Sequence, residues 1–390
     1  MTQRKTIKID VLGVLRPVYD QASLLSNLRY YIPEQVLQMF DFVWTPHRPD
    51  YYIASESVFR HDNYLGLLKK GVRHDTVLIF LSGESVLPDL NIFDYAFVFD
   101  RNMTLGDRVC RMPPPLAAIG LEYSKMLNEK LHSLPFLSRE TKKGLTFPIE
   151  NPQALLAQKT GFCNFIYSNS KAHPNRDKLF NNISAYKQVD SLGRHLNNKK
   201  HEIPQGTKNW CDNSIAMKKP YKFSIACENA SYRGYVSEKI VTSFCAKTIP
   251  IYWGDPTIVE DFNPKAFINC HDYANVDEVL ERVKQIDQND DLWLSMIQEP
   301  CSTSEQVAKH EREMEAVCEF ARTIFSQDKA KAKRVADGTW PAKYRRRFFQ
   351  TATHPLLLTL QRCHYQVLSK IASGKTKQRY IKKYTELNRG

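Results

Sequence analysis

Residues 221–254 read YKFSIACENASYRGYVSEKIVTSFCAKTIPIYWG, and three patterns follow one another along them. YKFSIACEN (221–229) is patterned as a strand. YVSEKIVTSFCAK (235–247) sets Val236, Ile240 and Phe244 on one side of a helix, and TIPIYWG (248–254) is a second apolar strand. Strand, helix and strand in that order form a βαβ unit, whose crossover makes the two strands parallel. The same alternation extends outward. Upstream, GFCNFIYSN (161–169) predicts a strand, and RDKLFNNISAYK (176–187), with Leu179, Ile183 and Tyr186 at helical spacing, predicts a helix. Downstream, FINCHDY (267–273) and VDEVLERVKQI (276–286) add a further strand and helix. The second half of the chain therefore reads as α/β with a parallel sheet.

The first half shows strand patterns at TIKIDVLGVL (6–15), FVWTP near 42, TVLIFL (76–81) and YAFVFD (95–100), which suit a second α/β domain. From 107 to 155, three prolines at 113–115 and then LAAIGLEYSKMLNEKLHSL read as a turn, a helix and a polar connection, with the linker near 150. No repeat of solenoid period is present. A length of 390 residues with 42% apolar composition supports two cores. The expected division is 1–155, 156–330 and a tail, 331–390.

The net charge of +13 is concentrated in that tail. From Lys329 to Gly390 there are 16 lysines and arginines against Asp337 and Glu386, so the rest of the chain is close to neutral. The N-terminus lacks the apolar run of a secretory signal, and no stretch approaches the roughly 18 apolar residues of a membrane span. Nine cysteines stand singly, without the pairing of a zinc site, and read as reduced thiols. These features predict a cytoplasmic protein.

Parallel α/β sheets bind ligands beyond the carboxyl ends of their strands, which directs attention to Ser82–Glu84, Ser168–Arg176 and Glu228–Lys239. Ser237 has the chemistry of a helix N-cap, its hydroxyl able to bond the first-turn amides. Glu238 suits the first turn, whereas Lys239 opposes the helix dipole by a few tenths of a kcal/mol to about 1 kcal/mol. An anion bound at the same place accounts for it: a diphosphate is attracted by the helix N-terminus and by Lys239 together. Arg176, at the start of the helix after the preceding strand, offers a second cation with a bidentate fork. Glu238 is then available to ribose hydroxyls. Any one of the three taken alone also suits an ordinary solvated helix end. No GxGxxG, GxxxxGK[ST], DxD-like or HExxH pattern is present, so helix ends and side chains, rather than a metal, are expected to hold a nucleotide.

The run FSIACENASYRGYVSEKIVTSFCAKTIPIYWGDPTIVEDFNPKAFINCHDY (223–273), with its EN, GYVxEK, TIPIYWG and DFNPKxFxN elements, closely resembles the donor-binding signature of the α1,3/4-fucosyltransferase family, above all its bacterial members. FCNFIYSN (162–169) with Arg176, SGESVLPDLNIFDYAFVFD (82–100) and RMP (111–113) are similar to the same family, and the likeness runs over roughly 76–300 in constant order. The resemblance implies a GT-B architecture: two Rossmann-like domains facing across a cleft, the C-terminal one holding GDP-fucose. It implies that Arg176, Asn229, Tyr235 and Lys239 contact the diphosphate region, that Glu238 meets the ribose, and that Glu84 is the catalytic base. It further implies inversion at the fucose carbon, no cofactor and no requirement for a divalent metal. The expected acceptor is the N-acetylglucosamine of N-acetyllactosamine-type glycans, giving a Lewis x-type product in lipopolysaccharide or capsule O-antigen. An α1,4 linkage or another GDP-sugar donor stays open as an alternative. The Asn229-Ala230-Ser231 sequon would fall inside the donor site, which favours a compartment without N-glycosylation.

Acceptor contacts are expected from the first half, where the loops 16–34 and 44–61 are rich in aromatic and basic residues. Most such tyrosines end in a core. Residues 340–350 (WPAKYRRRFFQ) and the segment HYQVLSKIASGKTKQRYIKKYTEL mix aromatics with lysine and arginine. This pattern suits a helix lying on an anionic membrane, the inner face of the cytoplasmic membrane being the expected surface. The resemblance extends to such a region in bacterial members. A nucleic-acid-binding role through this tail is the remote alternative, since the near-neutral body with its strand-end charges would then go unexplained; no nucleic acid partner is expected.

Overall fold

Short apolar runs become the strands of two sheets. The computed structural model describes residues 3–11, 18–55, 72–73, 75–113, 144–147, 149–199, 210–335, 339–352 and 355–388. The chain forms two compact units. The first takes the described residues of Met1–Val98, Thr104–Cys110 and Cys318–Gly390, and the second those of Phe99–Met103 and Arg111–Val317. The boundary expected near 155 thus falls inside the second unit, and residues 331–390 join the first. The helix expected over 116–134 lies outside the described residues.

In the first unit the strands are β1 (Lys5–Val11), β2 (Phe40–Trp44), β3 (Tyr51–Ser55), β4 (Val77–Leu81), β5 (Tyr95–Val98) and β6 (Val109–Arg111), in the order β2-β1-β3-β4-β5-β6. The pairings from β2 through β5 are parallel. β3, β4 and β5 are buried along their whole length, as strands covered on both faces must be.

Two expectations are corrected here. The loop expected over 44–61 contains β3, and its Tyr51 and Tyr52 are core residues. An apolar run of five residues does not by itself distinguish a central strand from an aromatic loop. Residues 16–34 likewise contain a helix, Gln21–Tyr31, because Asp20 and Ser23 close a reciprocal capping box.

The C-terminal residues are helices, Trp340–Ala352, Pro355–Ile371 and Gly374–Asn388. Arg345, the first arginine of the expected membrane-facing RRR run, is 1% exposed. Its Nη1 donates to Asp94 Oδ2 at 2.8 Å and its Nη2 to the Thr76 carbonyl. Asp94 also accepts from the backbone N–H of Leu78, Arg334 and Val335 at 2.8, 2.9 and 2.9 Å. This arginine fastens the helix to the β4–β5 end of the sheet and is not available to a lipid surface.

The second unit has β7 (Gly161–Phe165), β8 (Val189–Ser191), β9 (Tyr221–Cys227), β10 (Ile249–Trp253) and β11 (Ile268–Asn269), in the order β11-β10-β9-β7-β8. All four pairings are parallel. FINCHDY yields only the two residues of β11 before a 3-10 turn at Cys270–Asp272. One set of core residues joins Phe165, Leu179, Ile183, Val279, Val283 and Trp293, and another joins Ile240, Phe244, Tyr252, Phe262 and Phe267. The chain leaves β7 toward β8 and, after β8, returns to build β9, β10 and β11 on the other side. The reversal of winding lies between β7 and β9, and in such sheets the crevice beyond that point is where ligands bind.

Candidate active site

Two segments extend past the carboxyl ends of β7 and β9, and Tyr167 ties them together. Its hydroxyl reaches the carbonyls of Ile225 and Cys227 at 2.9 and 3.1 Å and accepts the Cys227 N–H at 2.6 Å. Arg176 lies across the Tyr167 ring, with its guanidinium carbon 4.6 Å from the ring centre. The residue is 1% exposed, and its Nη2 donates to the Asn169 carbonyl at 2.5 Å. Its Nε and Nη1 have no hydrogen-bond acceptor, although Nε stands 3.5 Å from Asp177. A buried guanidinium with two unused donors is costly unless an anion completes it.

On the β9 side, Glu228 follows the last strand residue and is fully buried. Its Oε1 accepts the Ser237 N–H at 2.7 Å, and its Oε2 accepts from the Ser237 hydroxyl at 2.6 Å and from Lys239 Nζ at 3.0 Å. Lys239 Nζ also donates to Ser237 Oγ at 2.7 Å and lies 3.6 Å from Glu238. Burial pushes the Glu228 carboxyl up from its ordinary value, and the pull of Lys239 only partly offsets this. The expected cap is corrected: Ser237 stands at the N-cap of the helix Glu238–Cys245, but no side chain caps it. Its hydroxyl instead donates to Glu228 and accepts from Lys239 Nζ, charge-assisted bonds that hold it away from the first-turn amides.

Asn229 uses its carbonyl to accept the His173 N–H at 2.9 Å. The Tyr235 ring is 5% exposed and packs edge-on against Phe99, centres 5.4 Å apart. Between Asn229 and Tyr235 the chain turns at Gly234, with φ +79°, where a Cβ would overlap the Phe99 carbonyl oxygen. Only glycine satisfies both conditions. Trp253 is held between the imidazoles of His173 and His271, with ring centres 4.5 and 6.0 Å away.

Arg176, Asn229, Tyr235, Glu238 and Lys239 therefore belong to one unit, on the segments following β7 and β9. Glu84 belongs to the first unit. It is half-buried in the turn after β4, and its carbonyl accepts the Val86 N–H at 2.7 Å. Reasoning from the sequence gave no role to Glu228, Tyr167, His173 or Trp253. Glu228 stood in the Glu228–Lys239 window, but its partners lie nine and eleven residues further on.

A second polar cluster has a different character. Asp261 is fully buried and accepts from Arg101, from Arg111 at 2.9 Å, from Lys309 at 3.3 Å and from His310 at 3.2 Å. Burial opposes its charge, yet His310, Arg111 and Arg101 hold the carboxyl well below the usual range. With His310 and Glu313 it could offer three metal ligands, but Arg101, Arg111 and Lys309 already take up its oxygens. The cluster is an ion network joining the VFD–RMP region to the DFNP motif.

Known proteins resemble this chain in sequence and in fold. Residues 156–338 match the family model described as glycosyltransferase family 10 (fucosyltransferase), C-terminal part. This stretch resembles the C-terminal part of that fucosyltransferase family. It is 28% identical over 295 residues to the α-(1,3)-fucosyltransferase FucT of Helicobacter pylori, covering 68% of this chain and 56% of that protein. It is 32% identical over 234 residues to a provisionally named fucosyltransferase, R654, of Acanthamoeba polyphaga mimivirus, covering 58% of this chain and 34% of that protein. The chain thus spans about half or less of the length of these relatives. A crystal structure of an α1,3-fucosyltransferase with GDP-fucose superposes with a TM-score of 0.57 over 82% of this chain and 92% of that one, at 24% identity. This likeness shows the fold: an α/β protein of the GT-B class, as expected for the fucosyltransferase family. The family match covers all the β7- and β9-end residues described above and the Asp261 network apart from Arg101 and Arg111.

Proposed function

We propose that the protein is an inverting α1,3-fucosyltransferase that moves L-fucose from GDP-fucose to the 3-hydroxyl of N-acetylglucosamine in N-acetyllactosamine-type glycans. One observation carries the donor half of this reading. A buried arginine with two unused N–H donors and a lysine at an uncapped helix N-terminus follow the two strands that flank the reversal of winding. Such a pair suits a diphosphate. Arg176, Lys239 and the first-turn amides then face charge that grows on the leaving GDP. Asn229 and Tyr235 border the same region, and Glu238 is assigned to the ribose.

In the reaction the acceptor oxygen forms a bond to the fucose anomeric carbon as the bond to GDP breaks, turning the β-linked donor into an α-linked product. Glu84 takes the proton of the acceptor hydroxyl. The cations named above take the role a divalent metal plays in other nucleotide-sugar transferases, so the reading needs none. Product isolated from GDP-fucose and N-acetyllactosamine should show, by NMR, an α-fucosyl residue on the 3-position. A β anomer would sink the inverting mechanism, and lacto-N-biose as the better acceptor would move the linkage to α1,4.

Replacing Arg176 by methionine is expected to weaken GDP binding by about ten- to a hundredfold. Stability should change by no more than about 1 kcal/mol, since removing two unsatisfied donors offsets the lost Tyr167 stack. Calorimetric titration with GDP and a thermal melt check both; a large drop in melting temperature with unchanged GDP affinity would make Arg176 a structural residue.

We also place the protein on an anionic membrane surface, as would suit fucosylation of lipopolysaccharide or capsule precursors. Among the described residues no helix is long and apolar enough to cross a membrane. Trp340, Leu360, Val367 and Ile371 are exposed at 79, 57, 57 and 74% among basic neighbours. Sedimentation with phosphatidylglycerol vesicles should exceed that with phosphatidylcholine vesicles and fall as salt is raised. Equal recovery with both would exclude an electrostatic surface role.

A further inference from the structure

We propose that Glu228 is a positioning residue that fixes the Lys239 ammonium for the donor's diphosphate; this rests on the reading of Lys239 as a diphosphate ligand. Every hydrogen bond shown to the Glu228 carboxylate comes from Ser237 or Lys239, at 2.6 to 3.0 Å. The fold makes room for it at Gly254, where a Cβ would stand 2.5 Å from Glu228 Cγ. Glu228 itself is anchored to the neighbouring strand, its N–H donating to the Trp253 carbonyl at 2.8 Å.

The other end of Lys239 is held as well. Its carbonyl accepts from Ser243 Oγ, Thr242 Oγ1 and Lys218 Nζ at 2.8, 3.1 and 3.2 Å. A lysine on its flexible stem ordinarily loses rotamer freedom when fixed. Here that ordering is complete before a ligand arrives, which is how preorganisation raises affinity. The Lys239 side chain is still 18% exposed, so it is not sealed from solvent. A buried ion pair is weak grounds for stability. The hydrogen bonds shown to its carboxylate come from the first residues of the candidate anion-binding helix, which points to function.

Glu228→Gln keeps the size of the side chain but presents an N–H toward Lys239. Measured by calorimetric titration of the full chain with GDP, Lys239→Ala and Glu228→Gln should each weaken binding by about tenfold. The double variant should bind no more weakly than Lys239→Ala alone, since the second change acts only through the first. Ser237→Ala, which removes one of the two oxygens holding Nζ, should behave the same way, with a smaller loss, and serves if Glu228→Gln does not fold. The inference is overturned if the losses multiply in the double variants, or if folded Glu228→Gln binds GDP like the wild type. Wild-type binding by Lys239→Ala would instead remove the reading on which it rests.

Discussion

Replacing Glu84 by alanine is expected to lower turnover by about 10² to 10⁴ while leaving GDP-fucose binding within a few-fold of wild type. Displacement of GDP by a sugar hydroxyl releases one proton, so a single base is enough, and Glu84 is a carboxylate in the turn directly after β4, half-buried rather than fully solvated. It belongs to a different unit from the residues assigned to the diphosphate. Its loss should therefore fall on kcat and not on donor affinity. Steady-state kinetics with both substrates varied, beside titration with GDP, separates the two. Turnover within a few-fold of wild type in a folded Glu84→Ala protein would remove Glu84 from the role of base.

Asp261→Ala is expected to destabilise the second unit by about 3 to 5 kcal/mol, because it leaves buried cations without their shared carboxylate. Arg101 is 9% and Arg111 14% exposed at the side chain, so water cannot readily replace it. The sign of the pH dependence follows from the depressed carboxyl. Its contribution is complete above the unfolded carboxylate value of about 4 and is lost only as pH falls through the lower folded value. The gap between wild type and variant in urea denaturation should thus be constant from pH 5 to 8 and close only in strong acid. Equal midpoints for the two proteins at pH 7 would show that the network contributes nothing.

How much of this was legible beforehand depended on distance along the chain. The βαβ succession of 221–254 is local, and the periods of strand and helix gave β9, β10 and the helix between them to within three residues at each end. The positions after the strands followed from the rule for parallel sheets, which brought out Arg176, Glu238 and Lys239. Ser237 reads as a cap from its own helix, whereas Glu228, the carboxylate to which its hydroxyl donates, follows the preceding strand. Glu228 looked like one carboxylate among many; only burial makes it different. β3 reads as loop in the sequence because its partners, β1 and β4, are far away along the chain. Arg345 belongs by composition to a basic surface, but Asp94, 251 residues earlier, holds it in the core.

The most direct test of the central claim is the release of GDP on mixing the protein with GDP-fucose and N-acetyllactosamine. GDP-mannose, UDP-sugars, lacto-N-biose and an acceptor-free mixture serve as controls. The expected result is release that requires both GDP-fucose and N-acetyllactosamine. Release from another nucleotide sugar, or none with any acceptor, would contradict the assignment of this chain as an α1,3-fucosyltransferase.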